Sequence, residues 1–85
     1  MRLISADGKI NLSFENWDIE IVSPYLIPPV YFIKATGEKR EKVLVRLDSF
    51  EVASFVCAEI EKAYEKRMRV CYISKIIERA ERRKG

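Results

Sequence analysis

The chain has 85 residues, 48% of them apolar, with few glycines and prolines, so its composition predicts one globular domain and argues against a disordered chain. The formal net charge is +3 and there is no histidine, which removes the commonest general base and the commonest metal ligand. No apolar run approaches the roughly 18 residues that a membrane span needs, and no signal-peptide pattern follows Arg2, so we expect a cytoplasmic protein.

The first two predicted strands form a hairpin around Asp7-Gly8. A type I′ turn needs positive φ at both central residues, which Gly accepts freely and Asp tolerates. The residues that follow alternate apolar and polar as far as Phe14, which is typical of a half-buried strand. We therefore predict strands over residues 1–5 and 9–14.

Three more strands are predicted in the middle of the chain. Trp17, Ile19 and Ile21 alternate with acidic residues, and the continuously apolar run 30–33 indicates a strand buried on both faces. The stretch SPYLIPP between them is a turn or an edge segment, because proline cannot donate to a sheet ladder. The three predicted strands cover residues 17–22, 30–35 and 43–47.

An amphipathic helix is predicted over residues 49–67, with Asp48 as its N-cap and Glu51 completing a capping box. The helix ends near Arg67, because this residue projects onto the middle of the apolar face. A strand over 69–73 and a short basic helix over 74–84, capped by Ser74, are predicted next. Continued helix is the alternative that the sequence leaves open.

Together these elements predict an α+β fold in a single domain, residues 1–85. One small, mostly antiparallel sheet of five or six strands is covered by the amphipathic helix, with a possible short helix at the C-terminus. The core is adequate for the length of the chain, and the fold spares few residues for a deep pocket.

No residue pattern predicts catalysis, a cofactor or a metal. Cys57 and Cys71 match no zinc spacing and are interpreted as buried, reduced thiols. Asp18 and Glu20 share one face of a strand, but such spacing arises on any wetted strand. Gly37 stands alone among charges, so there is no glycine-rich phosphate loop. We expect a protein that is not an enzyme.

Two surfaces are candidates for binding. The first is apolar and is interpreted as a protein-binding site, for a host or phage protein or for a second copy of the chain. Its candidate residues surround the proline-rich turn: Trp17, Tyr25, Leu26, Ile27 and Tyr31.

The second candidate surface is basic, and it makes nucleic-acid binding the alternative function. Residues 1–61 contain seven Lys and Arg against ten Asp and Glu, whereas residues 62–85 contain nine against three. Glu78 and Glu81 interrupt the basic stretch, and no aromatic residue lies between its cations to stack on bases. The candidate residues are Lys75, Arg79, Arg82, Arg83 and Lys84.

The opening MRLISADG, followed by a strand that ends at Phe14-Glu15, resembles a group of short uncharacterised proteins of Gram-positive bacteria, their phages and other mobile elements. The resemblance resumes at VLVRLDSFEVASFVCAEIEKAYEKR, where the group has a strand and an amphipathic helix ending near Ala-Tyr. The resemblance implies an accessory protein that binds a host protein. Small proteins of this setting include inhibitors of defence systems such as CRISPR effectors. The segment SPYLIPPV and the basic tail depart from the group. Because inhibitors that mimic DNA are acidic, the basic charge of this chain argues against that mechanism.

Overall fold

The computed structural model describes residues 1–24 and 26–84, with the side chains of all of them except Arg83 and Lys84. Two helices and six strands are present in this part of the chain. In chain order they are β1 (Arg2–Ile4), β2 (Asn11–Ser13), β3 (Asp18–Val22), β4 (Tyr31–Thr36), β5 (Glu41–Leu47), α1 (Phe50–Glu65), β6 (Val70–Tyr72) and α2 (Ile73–Lys84).

The six strands form two sheets of three strands each, so the α+β class is confirmed and the prediction of a single five- or six-stranded sheet is wrong. In the first sheet β1 lies between antiparallel β2 and parallel β6, with Leu3 opposite both Leu12 and Cys71. The second sheet is antiparallel, in the order β3-β4-β5. A short 3-10 turn, Phe14–Asn16, separates β2 from β3 and ends the first antiparallel pairing.

The hairpin between β1 and β2 has a different turn from the one predicted. Gly8 has φ +76°, but Asp7 has no positive φ, so the turn is not type I′. The Gly8 amide donates to the Ser5 carbonyl at 3.0 Å, while the Asp7 carboxylate accepts from the Ser5 hydroxyl at 2.6 Å and the Lys9 amide at 3.0 Å. This is a tight turn followed by a left-handed glycine. The two bonds to its carboxylate lower the pKa of Asp7.

A bulge in β5 connects the two sheets. Ile33 is opposite Val45 whereas Lys34 is opposite Val43, so Leu44 is the extra residue on its strand. The Leu44 carbonyl accepts a hydrogen bond from the Ala6 amide at 3.1 Å, and Leu44 itself is buried. The hairpin loop of the first sheet is therefore hydrogen-bonded to an edge strand of the second.

Helix α1 begins at Phe50, one residue later than predicted, and its N-cap is shifted by one residue as well. Ser49, rather than Asp48, is the N-cap, and its hydroxyl accepts from the Val52 amide at 3.3 Å. The buried face of α1 agrees with the predicted apolar arc and consists of Ala53, Val56, Ile60 and Ala63. The helix ends at Glu65, two residues before its predicted end, and Met68 beyond it is half-exposed.

The chain after α1 forms β6 and then α2, so it does not continue as one helix. Ile73, predicted to end the strand, begins α2 instead, and the predicted cap Ser74 is inside the helix. Ile73, Ile76 and Ala80 are buried at spacings of three and four residues, which directs one face of α2 toward the core.

The face of the second sheet opposite α1 is less covered than the sequence predicts. Ile33 and Ala35 of β4 are buried, as expected for the face toward the helix. Phe32 and Lys34 alternate with them and are only partly buried, so β4 is not buried on both faces. Lys34 forms an ion pair with Glu41 at 2.9 Å on this face, which keeps it polar at one end.

Candidate functional site

The segment between β3 and β4, of which residues 23–24 and 26–30 are described, is called the apolar loop below. Ile27 is fully exposed and Leu26 is 51% exposed. At the base of the loop the Ser23 hydroxyl donates to the Val30 carbonyl at 3.2 Å, and Val30 is buried. The loop is thus closed at its base and apolar at its tip. Tyr25, a sequence-predicted member of this surface, lies outside the described residues.

Tyr31 is partly buried and packs against Phe50, in the first turn of α1, with ring centroids 5.7 Å apart. Phe50 is itself 55% exposed and was missed in the sequence analysis. A sequence signal for it exists: a large aromatic residue directly after an N-cap lies on the first turn, where few neighbours can cover it. Tyr31 therefore contributes to the surface mainly by supporting Phe50.

Trp17 does not join the other apolar candidates. The strand register pairs Asp18 with Thr36 and Val22 with Phe32, so Trp17 and the apolar loop lie at opposite ends of β3. A five-residue strand is about 16 Å long, which is too far for one small contact. The Trp17 ring instead packs over Gly37, where an added Cβ would lie 3.2 Å from it, and the Arg40 guanidinium lies 5.1 Å from the ring centroid.

The basic candidates line a cleft between α1, β6 and α2, called the basic cleft below, with a volume of about 490 Å³. Lys75, Arg79 and Arg82 of α2 all line it. The side chains of Arg83 and Lys84 lie outside the described part. Lys62 of α1 and its C-cap residue Lys66 also line the cleft, and the sequence did not predict this because these residues are far from the tail in the chain.

The basic cleft is also lined by Tyr72 and Met68, each about half-exposed, and by the buried Cys71. No aromatic residue lies between the cations of the basic stretch, but Tyr72, which precedes that stretch, lines the same cleft. It belongs to β6, which precedes the basic helix, and a strand alternating buried Cys71 with exposed Tyr72 was a usable signal.

Cys71 is a buried free thiol, whereas Cys57, also predicted to be buried, is only partly so. Burial raises the pKa of Cys57, and the nearby Glu61 carboxylate raises it further. Burial also raises the pKa of Cys71; Arg79 lowers it in part, and Glu59 raises it. Because the thiolate is the nucleophilic form, neither cysteine is activated at neutral pH.

The described residues, 1–24 and 26–84, contain neither a cluster of metal ligands nor a membrane-spanning helix. Within them, no group of three or more Cys, Asp or Glu side chains is arranged to hold a metal ion. No helix of the described chain is long and apolar enough to cross a bilayer. Asp18 and Glu20, which share a strand face, make different contacts. Glu20 accepts a hydrogen bond from the Thr36 hydroxyl at 3.3 Å, whereas Asp18 lines a separate hollow beside Trp17.

Comparison with known proteins adds no relative: no family model matches the sequence, and no curated protein or solved structure matches it. The resemblance to short phage-related proteins therefore stays a prediction.

Proposed function

We propose that this protein is a small non-catalytic binding protein that acts by contact with another protein through the apolar loop. The observation that carries the proposal is the full exposure of Ile27, beside the half-exposed Leu26, at the tip of a loop closed at its base. Burying a large aliphatic side chain contributes about 1.5–3 kcal/mol, so these two residues alone supply a substantial contact energy.

Phe50 and Tyr31 extend the same surface. Tyr31 begins β4, directly after the apolar loop, and its ring supports the half-exposed Phe50 ring. Aromatic residues are enriched among the few residues that dominate binding energy at protein interfaces. Leu26, Ile27 and Phe50 are therefore the proposed anchors, whereas Trp17 is assigned to packing within the second sheet.

The setting of this function comes from the sequence resemblance. A phage or mobile-element protein of this size would meet a host protein in the cytoplasm, and a host defence protein inhibited in an anti-CRISPR-like manner is the partner class we propose. A net charge of +3 disfavours inhibition by mimicry of DNA, which requires an acidic surface. A second copy of the chain is the competing occupant of the loop.

The test is affinity capture from a host lysate with the wild-type protein and with the double variant Leu26→Ser/Ile27→Ser. We expect a specific protein to bind wild type, to bind again when purified, and to be lost with the double variant. Both side chains are exposed, so the variant's thermal unfolding should be nearly unchanged.

Val43→Ser is the matched control, because Val43 is an apolar residue on β5, outside the loop, and is about as exposed as Leu26. It should retain the partner. Identical capture by wild type and the double variant would refute the role of the loop. A concentration-dependent mass that the double variant abolishes would replace the foreign partner with a homodimer.

The alternative function, nucleic-acid binding, does not use the apolar loop. It depends on the basic cleft, whose cations come from α1 and α2.

A further inference from the structure

The basic cleft has two cationic walls. Lys62 in the last turn of α1 and Lys66, the C-cap residue of that helix, are four residues apart; Lys75 and Arg79 have the same spacing on α2, with Arg82 one turn further. Residues at this spacing lie on one face of a helix, so each wall presents its cations as a row. All five residues are exposed.

The charge of the whole chain is concentrated in this cleft. Five cations and two carboxylates, Glu59 and Glu78, line it, which gives a local charge of +3. The sequence has sixteen Lys and Arg and thirteen Asp and Glu, so eleven of each remain elsewhere and cancel. An anionic ligand is therefore attracted to the cleft rather than to the rest of the surface.

The basic cleft is also lined by an exposed aromatic ring and a flexible apolar side chain. Tyr72 is 47% exposed and Met68 is 50% exposed. A simple phosphate site needs no aromatic residue, whereas single-stranded nucleic acid is bound by cations that follow its backbone and aromatic rings that stack on its bases. In a duplex the base faces are already stacked and are unavailable to Tyr72.

We propose that the basic cleft binds single-stranded nucleic acid, with phosphates contacting the rows on α1 and α2 and one base stacked on Tyr72. The cleft volume of about 490 Å³ lies within the range of pockets that hold small molecules. Glu59 and Glu78 oppose the phosphates, which keeps binding weak and strongly dependent on salt.

The first experiment measures fluorescence anisotropy of a 5′-labelled dT12 oligonucleotide against NaCl concentration. For a single strand the slope of log K against log salt is about −0.7 per neutralised phosphate, so five contacts would give a slope of about −3.5. Lys75→Gln/Arg79→Gln should flatten the slope by about 1.4.

The matched control is Lys39→Gln/Lys42→Gln, which removes the same charge from the exposed turn before β5 and its first residues. It should keep the wild-type slope. An equal loss in the control pair would show that binding depends only on net charge, which overturns the cleft as the site. No binding at 25 mM NaCl and 100 µM protein (concentrations of roughly the order at which nonspecific binding is seen) overturns the proposal as well.

Stacking is tested separately from charge. Tyr72→Ala should weaken binding by roughly 5- to 100-fold with little change of slope, and Tyr72→Phe should restore it, because a phenyl ring stacks without the hydroxyl. Tyr72 is half-exposed, so both variants should fold, which circular dichroism confirms. Equal binding by the Ala and Phe variants would exclude a stacking role.

Competition identifies the ligand class. A 12-base-pair duplex that binds as tightly as dT12, or a polyglutamate peptide that displaces dT12 at equal charge, would overturn the assignment to single strands. Leu26→Ser/Ile27→Ser should bind dT12 like wild type. Loss of oligonucleotide binding therefore leaves the protein-binding proposal intact, and the reverse also holds.

Discussion

Replacing Arg67 with glycine should stabilise the protein. Arg67 has φ +58°, and it is the one non-glycine residue with positive φ among residues 1–24 and 26–84. The Met68 amide donates to the Ala63 carbonyl and the Arg67 amide to the Tyr64 carbonyl, each at 3.0 Å. This pair of bonds is a Schellman motif, in which the left-handed position is most often glycine.

The expected gain follows from two opposing terms. A side chain in the left-handed region costs about 1–2 kcal/mol, because its Cβ crowds the following carbonyl oxygen. Glycine has more conformational freedom in the unfolded chain, and this offsets roughly 0.5–1 kcal/mol of the relieved strain. The free energy of unfolding should therefore rise by about 0.5–1 kcal/mol, which raises the melting temperature by roughly 2–8 °C for a domain of this size.

Thermal and urea unfolding followed by circular dichroism measure this change, and Arg69→Gly is the matched control. Arg69 is also exposed, but it does not have a positive φ. Its replacement loses the same charge without relieving strain, so it should lower stability by roughly 0.5–1 kcal/mol. If both variants lose stability equally, the left-handed geometry carries no strain and the reasoning is refuted.

Two further predictions concern the N-terminal part of the fold. Ala6→Pro keeps the tight turn, where proline is favoured, but removes the amide that donates to the Leu44 carbonyl, so the free energy of unfolding should fall by about 1–3 kcal/mol. Ala6→Gly keeps that donor and is the control. A proline variant that melts no lower than the glycine variant would contradict the role of this bond. The pKa of Glu15 is lowered from 4.5 to about 2, mainly by the hydrogen bond from the Met1 ammonium and to a smaller extent by those from the Glu15 amide and the Ser13 hydroxyl. The stability that this carboxylate contributes is therefore present above pH 4.5 and is lost as pH falls toward 2. Glu15→Gln should therefore show a smaller fall in melting temperature between these pH values, and parallel curves for the two proteins would contradict it.

Local structure was largely predictable, and pairing between distant segments was not. The amphipathic pattern identified the buried face of α1, because period and polarity act within one helix. The parallel pairing of β1 with β6 brings Leu3 beside Cys71 across nearly the whole chain, and three-residue strands carry no register signal. The turn at Asp7 was misassigned because its side chain forms hydrogen bonds that favour negative φ, which the Asp-Gly pair alone does not reveal.

The candidate sites show the same difference between what local sequence predicts and what depends on packing between distant segments. Leu26 and Ile27 were predicted from their neighbourhood, because prolines on both sides keep a segment out of a sheet whatever the tertiary structure. Trp17 was grouped with them by proximity in the chain, but the length of β3 separates them. Phe50 and the lysines of α1 reach their surfaces only through packing, so the sequence alone left them out.

The reversal at Arg67 also explains how one charge asymmetry becomes a binding surface. The excess of Lys and Arg after residue 61 is divided by β6 into one group at the end of α1 and in the turn that follows it, and a second group on α2. A continuous helix would spread these cations around its circumference, because successive residues differ by about 100°. Reversal through the Schellman turn and β6 instead brings Lys62 and Lys66 to the same cleft as the cations of α2, and Tyr72 lines that cleft too. The same backbone geometry that strains Arg67 therefore concentrates the positive charge, and Arg67→Gly should leave oligonucleotide binding intact because Arg67 does not line the cleft.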